Sequence, residues 1–326
     1  MKQQERDKLV SVVVATYNGE KYLGELLDSI LEQSYPVYEI LIKDDGSTDS
    51  TCQIAETYCR NHGNIRLIRN ERNMGISDNF LTGFLTAKGE FVAYADQDDI
   101  WEKNKIERLL AAMGDGNLAF SNSAVCDEKG NFLYPLIQKR VFVSEIISFL
   151  DMTIWGHQIL FRKSILENLP IMELSATVWL DSLLADIAFK GDNRNVVYVN
   201  EMLIRWRRHR SASSFGAYNQ KSRTVDLRYT GVLDALRASA DKERCRRVRL
   251  YFSALKRIDG ISPDCRRVIG WMAECSFTSL LKAGALCLRN YTESFPGTLS
   301  FPEKIRIFLK PFFAVRNQSK GIERIP

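Results

Sequence analysis

Four times in the first hundred residues a short apolar run, rich in β-branched side chains, precedes a polar cluster, and three helix-spaced segments separate the four. This alternation restricts the fold more than any other feature of the chain. "LVSVVVAT" (9–16), "YEILIKDD" (38–45), "NIRLIRN" (64–70) and "EFVAYAD" (90–96) read as strands. Between them "KYLGELLDSILEQS" (21–34), "STDSTCQIAETYCR" (47–60) and "SDNFLTGFLTAK" (77–88) have helical spacing, the second capped by Ser47 or Thr48 and the third near Ser77. Strands alternating with helices of this length build βαβ units and a mostly parallel sheet, an α/β fold. In such sheets ligands bind outside the carboxyl ends of the strands.

All the polar clusters fall on those ends: "TYN" (16–18), "DDGSTD" (44–49), "RNERNMG" (69–75) and "DQDD" (96–99). Each alone is ordinary turn chemistry, and Asp99 alone reads as a cap for the helix "EKNKIERLLAAM". Together they mark one crevice. Like charges as close as Asp96, Asp98 and Asp99 repel unless something positive sits between them. In an extended segment Asp96 and Asp98 point the same way, and two carboxylates on one side suit Mg²⁺ or Mn²⁺. Neither acidic cluster has the EF-hand spacing, and no Walker-A or G-x-G-x-x-G loop occurs, which argues against a calcium loop and the usual modes of ATP or NAD binding.

The chain's 326 residues suit one large domain or two. Its 7 cysteines form no C-x-x-C pair, which argues for a reducing compartment and against a zinc knuckle or disulfide framework. The charged opening "MKQQERDKLV" lacks a signal peptide's apolar stretch, and no run of ~18 apolar residues occurs, so a cytoplasmic protein without a membrane span is expected. Past residue 115 the pattern loosens through the strands "NLAFSNSAVC" (117–126) and "NVVYVNEMLIRWRRH" (195–209), with "WLDSLLADIAFKG" (179–191) helical between them. From about 219 the apolar positions recur at helical spacing.

Charge follows the same division. Residues 1–204 carry 20 Lys and Arg against 30 Asp and Glu, while residues 205–326 carry 25 against 10. A basic block of this size points to phosphates, on a nucleic acid or an anionic membrane. A merely solvated surface would keep the signs mixed.

The ordered set "VVVATYNGEKYLGELLDSILEQSYPVYEILIKDDGSTDST", "NMGISDNF" and "ADQDDIW" resembles the nucleotide-diphospho-sugar transferase domain of family 2 glycosyltransferases, the GT-A fold. The likeness covers roughly the first 210 residues, and "DQDDIW" with "NMGISDNF" resembles the bacterial rhamnosyltransferase-like branch. It implies a GT-A domain over 1–215, with a nucleotide-sugar half at about 1–115 and an acceptor half at about 116–215, followed by a basic helical region over 216–326.

Carried onto these positions, the resemblance implies that Thr16, Tyr17 and Asn18 cradle the nucleobase and ribose. Asp45 accepts from the pyrimidine N3–H with Asp44 close by, and Asn73, Gly75 and Asn79 shape the adjacent loop. Asp96 and Asp98 hold the ribose and a Mg²⁺ or Mn²⁺ that bridges the diphosphate. "RWRRHRSASSF" resembles the family's "YRxH" segment, which sets Arg207 over the diphosphate and His209 on the metal. The expected base for an inverting reaction is Asp181 in "VWLDSLLAD", where Leu180 replaces a usual His or Glu; Asp186 competes, but five positions along a helix it points elsewhere. His157 falls where such enzymes line the acceptor pocket, with Trp155 and Trp179 as candidate sugar-stacking rings.

The expected donor is therefore a UDP- or dTDP-sugar, dTDP-rhamnose among them, and the expected acceptor a glycan, lipid-linked, in bacterial surface polysaccharide synthesis. The segment "EKIRIFLKPFFAVR" (303–316) interleaves cations with apolar groups, which suits the inner face of an anionic membrane. Nucleic-acid binding is the weaker explanation because no reader motif accompanies the charge. Packing on a partner subunit is a third reading of the tail. A non-catalytic nucleotide-sugar or glycan-binding module of the same fold is the competing function class, and Asp181 separates the two.

Overall fold

The computed structural model describes residues 8–137, 143–150, 154–167, 171–172, 179–209, 236–237, 239–294 and 300–318. The chain divides into two compact units, the first comprising 1–142, 154–172 and 194–216, the second 143–153, 173–193 and 217–326.

The first unit is built on one sheet. Its strands are β1 (Val10–Thr16), β2 (Glu39–Asp44), β3 (Ile65–Arg69), β4 (Phe91–Asp96), β5 (Ile100–Trp101), β6 (Leu118–Cys126), β7 (Phe132–Pro135), β8 (Ile159–Arg162) and β9 (Val196–Arg207). They lie in the order β3-β2-β1-β4-β8-β6-β9-β5, with β7 paired to β6. The first four strands are parallel, as their alternation with helices requires. Beyond β4 the sheet is mixed: β8 runs antiparallel to both β4 and β6, whereas β6 and β9 are parallel. The register sets Thr16 beside Asp44, Asp44 beside Arg69 and Ala15 beside Asp96, so the four carboxyl ends finish level.

Helices α1 (Leu23–Leu31), α2 (Thr51–Asn61), α3 (Ile76–Thr86) and α4 (Lys105–Met113) flank this sheet. Leu23, Leu26, Leu27 and Ile30 of α1 and Ile106, Leu109, Leu110 and Met113 of α4 recur at helical spacing and join Val10, Val12 and Val14 in one core cluster. On the other face Gly83 brings α3 close: a Cβ there would lie 2.5 Å from Val13 Cγ1. Burial on both faces explains why β1 reads as an unbroken apolar run.

The helix starts differ from the expected caps. The cap position of α2 is Ser50, because the Ser47 hydroxyl is bonded to the Asp44 carboxylate. Helix α3 begins after Gly75, at φ 85°, rather than at Ser77. Asp99 caps nothing, since α4 begins after Asn104.

The second unit contains α5 (Glu145–Leu150), α6 (Leu180–Phe189), α7 (Lys242–Leu255), α8 (Pro263–Glu274), α9 (Phe277–Ser294), α10 (Phe301–Phe308) and α11 (Lys310–Gln318). Side chains close several starts: Asp241 accepts from Arg244 N at 3.0 Å and Ser262 from Cys265 N at 3.2 Å, with Pro263 at the first helical position. The long periodic run that begins at Cys265 is two helices, broken where Cys275 turns left-handed at φ 48°. Glu145 ties the unit together, accepting from Gly191 N at 3.2 Å and from Ser262 N. A Cβ on Gly284 would lie 2.2 Å from Phe308 O, so α9 and α10 run in direct backbone contact.

The basic amphipathic tail expected to lie on a membrane turns part of its apolar side inward. Ile307, Phe312, Phe313 and Val315 are buried, while Phe301 and Ile305 remain exposed on α10. The segment "RSASSF" and the tail's Lys320 and Arg324 lie outside the described residues.

Candidate functional site

The loop after β1 is held by hydrogen bonds from both of its flanks. The Thr16 hydroxyl is buried against the Asp44 carboxylate at 3.3 Å, and Asp44 also accepts from Ser47 N at 3.1 Å. Asn18, in the left-handed region at φ 49°, accepts from Thr48 N at 2.9 Å, while its own N–H donates to the Ser47 hydroxyl at 2.9 Å. Tyr17, 50% exposed, and Asn18 both lie open, and Tyr17 is the one of the "TYN" residues that offers a ring to a flat ligand. Gln97 reaches across to this loop: its Oε1 accepts from Tyr17 N at 2.9 Å and its Nε2 donates to Tyr17 O at 3.1 Å.

Asp45 organises the loop after β3. Its carboxylate accepts from Asn70 Nδ2 at 2.9 Å, Met74 N at 2.8 Å and Gly75 N at 2.9 Å. The group expected to meet a pyrimidine N3–H therefore also shapes the loop beside it. Asn73 donates to Asp45 O at 3.1 Å. Asn79, expected near the ligand, is buried and links Lys43 O to Asn70 at 2.8 Å each. A Cβ on Gly75 would meet nothing within 4 Å, so this position faces open space.

The acidic end of β4 is a turn rather than an extended segment, because Asp99 N donates back to Asp96 O at 3.4 Å. The turn separates the carboxylates into two groups of potential metal donors. Asp96, Asp99 and His157 form the inner group, with one donor atom from each all within 4.8 Å of one another. Asp98 Oδ2 and His209 Nε2, 2.7 Å apart, form the outer one.

The electrostatics differ sharply. Lys105 is fully buried behind the inner group, its Nζ donating to His157 O at 2.8 Å and lying 3.5 Å from the Trp101 ring centroid. Burial lowers the Lys105 pKa to about 7 against the opposing pull of Asp99 and Asp96. Burial also pushes Asp99 well up, reinforced by Asp98 and Asp96, and its Oδ2 has no hydrogen-bond partner. Burial, then Lys105, lowers His157 to about 3. His157 bonds the Ser123 hydroxyl at 2.9 Å and stacks on Trp206, so it belongs to the interior rather than to an acceptor pocket. Asp96, Asp99 and His157 are thus one candidate set of cation donors, beside the buried Lys105, and the Asp98–His209 pair is another.

Arg207, expected over the diphosphate, has a side chain only 5% exposed. Its three guanidinium nitrogens donate to Asp98 O at 3.0 Å, Glu128 O at 2.9 Å and the Glu25 carboxylate at 2.5 Å.

In the second unit Asp181 stands at the start of α6, part-exposed, and accepts from Ser182 N at 2.8 Å. Asp186 on the same helix is fully buried against the Ser148 hydroxyl at 2.8 Å, and burial raises its pKa well above the ordinary value. The two acids thus divide as their spacing implies, one outward and one inward.

Gln97, Lys105, Tyr22, Glu25 and Glu128 were not singled out in the sequence. Lys105 left a signal: it sits one turn before Leu109 on the buried face of α4, a position where an apolar residue is ordinary.

Residues 11–169 match the family described as Glycosyl transferase family 2. The chain is 34% identical over 142 residues to "Glycosyltransferase GlyG" of Streptococcus pneumoniae, covering 43% of this chain and 47% of that one. It is 35% identical over 115 residues to "UDP-Glc:alpha-D-GlcNAc-diphosphoundecaprenol beta-1,3-glucosyltransferase WfgD" of Escherichia coli, covering 35% and 44%. The chain thus spans about half the length of these relatives. Its fold is similar to that of residues 1–349 of Staphylococcus aureus TarS in complex with UDP, with a TM-score of 0.52, 18% identity, and 96% of this chain and 83% of that chain covered.

Proposed function

We propose, from the premise that this chain belongs to glycosyltransferase family 2 with an α/β GT-A fold, that it transfers a sugar with inversion from a UDP- or dTDP-linked donor to a glycan acceptor. The observation that carries this reading is the level finish of four strands, which gathers Tyr17, Asp45, Gly75 and the Asp98–His209 pair at one end of one sheet. Tyr17 and the loop organised by Asp45 would receive the base and ribose. A Mg²⁺ or Mn²⁺ held by Asp98 and His209 would supply neutralisation of the diphosphate charge.

Asp181 is the proposed base. It would take the proton of the acceptor hydroxyl as that oxygen bonds to the anomeric carbon, while the bond from that carbon to the diphosphate breaks and the nucleoside diphosphate leaves. Support comes from its exposure at the head of α6 when Asp186 is sealed inside. Purified protein incubated with UDP- and dTDP-sugars, dTDP-rhamnose included, is expected to release UDP or dTDP only when Mg²⁺ or Mn²⁺ is present. Tight donor binding without release or transfer to any glycan acceptor would instead identify a binding module.

A lipid-linked acceptor is proposed because the E. coli relative's name specifies a diphosphoundecaprenol substrate. Among the described residues no helix is long and apolar enough to cross a membrane. The proposed contact is therefore peripheral, at the inner face, where Phe301 (76% exposed) and Ile305 lie one turn apart on α10 with Lys304 between them. The double change Phe301→Ser and Ile305→Ser is expected to reduce co-sedimentation with phosphatidylglycerol vesicles at least tenfold. Equal sedimentation of both proteins would exclude this face.

A further inference from the structure

We infer that Arg207 is a positioning residue that presents Asp98 and His209 to a cation, rather than a ligand for the donor's phosphates; this rests on the reading that those two residues hold the cation. The argument begins with where the guanidinium points. Its Nε donates to Asp98 O at 3.0 Å and so grips the backbone of the turn that carries the Asp98 carboxylate. Arg207 is itself the last residue of β9, two positions before His209, and its own N–H donates to the Asp99 carboxylate at 3.3 Å. One residue thereby fixes both chain segments whose side chains meet at 2.7 Å.

The other contacts anchor the grip. Nη1 donates to Glu128 O at 2.9 Å, and Nη2 to Glu25 on α1 at 2.5 Å. Tyr22, just before α1, packs against both Arg207 and His209: its ring centroid is 4.9 Å from the Arg207 guanidinium carbon and 4.6 Å from the His209 ring centroid. The Tyr22 hydroxyl in turn donates to the Glu128 carboxylate at 3.1 Å. A phosphate ligand must present N–H groups toward solvent, whereas this side chain is 5% exposed and each of its three nitrogens already donates one hydrogen bond within the protein. The arrangement is that of an outer support, whose loss commonly weakens metal binding ~10–100-fold.

The test uses the full chain with three variants, Glu25→Ala, Glu25→Gln and Arg207→Lys, each checked for folding by circular dichroism. Free Mn²⁺ is followed by electron paramagnetic resonance without nucleotide, and UDP affinity by calorimetry in EDTA. Glu25→Ala and Arg207→Lys are expected to weaken Mn²⁺ binding by ~10–100-fold, Glu25→Gln to stay within a few-fold of wild type because it keeps an acceptor for Nη2, and UDP affinity in EDTA to change less than about twofold throughout. Loss of UDP affinity in EDTA for Arg207→Lys, with Mn²⁺ binding intact, would overturn the inference and return Arg207 to the phosphates. Undiminished Mn²⁺ binding in Glu25→Ala would overturn it too. A wild-type chain that binds no Mn²⁺ would refute the cation pair itself, and the inference with it.

Discussion

Asp98→Ala is expected to leave transfer below ~0.1% of the wild-type rate, and EDTA to silence the wild-type protein until Mg²⁺ or Mn²⁺ is restored. The Asp98 carboxylate meets an imidazole in hydrogen-bonding contact, at 2.7 Å from His209. In the proposed cation pair its removal takes away one of two donors and would leave a lone imidazole to hold a hard cation, for which oxygen ligands are the better match. His209→Ala should follow the same course. His157→Asn should not, since His157 is buried against the Ser123 hydroxyl and the Trp206 ring. Nucleotide release measured across a metal titration decides the matter. Full activity of Asp98→Ala, or of the wild type in chelator, would return the turn to a structural role, and loss of metal response in His157→Asn alone would move the cation inward.

The second large effect is expected at Asp181. Asp181→Asn retains the shape and the hydrogen bond to Ser182 N but cannot accept a proton from the acceptor, so turnover should fall by about 10²–10⁴-fold while donor affinity stays within a factor of about two. Steady-state transfer and calorimetric donor binding on the same preparation separate the two quantities. Parallel losses in both would mark Asp181 as a structural residue. Asp186→Asn provides a contrast: Asp186 is fully buried with an unpartnered oxygen, so its neutral amide should change stability rather than rate.

The two levels of this structure were unequally legible. The parallel strands were readable because a strand buried on both faces is a nearly continuous apolar run, as Val12, Val13 and Val14 show, and because polar clusters mark where such strands end. The acidic turn was misread as extended, since period-two alternation holds only while the backbone stays pleated and the Asp99 N to Asp96 O bond curls it. Arg207 was legible as a cation but its buried anchorage was not, because its partners Glu25 and Glu128 lie 182 and 79 positions away. Likewise the break at Cys275 follows from one left-handed residue that is not glycine, a conformation that residue type does not announce.

The amide of Gln97 also has a consequence for which residues the turn can tolerate. It offers one acceptor and one donor to the two backbone groups of Tyr17, so glutamate would lose the donor, lysine the acceptor, and asparagine a methylene of reach. The middle position of the acidic turn is thus not a neutral spacer between two acids. Its counterpart is Gly19, where an added Cβ would lie 2.1 Å from Gln97 Oε1. A side chain at 19 and the amide at 97 compete for one volume, which makes the two positions a single unit of substitution. A library that randomises the turn while ignoring Gly19, or the reverse, samples mostly chains in which the loop bearing Tyr17 has lost its tether.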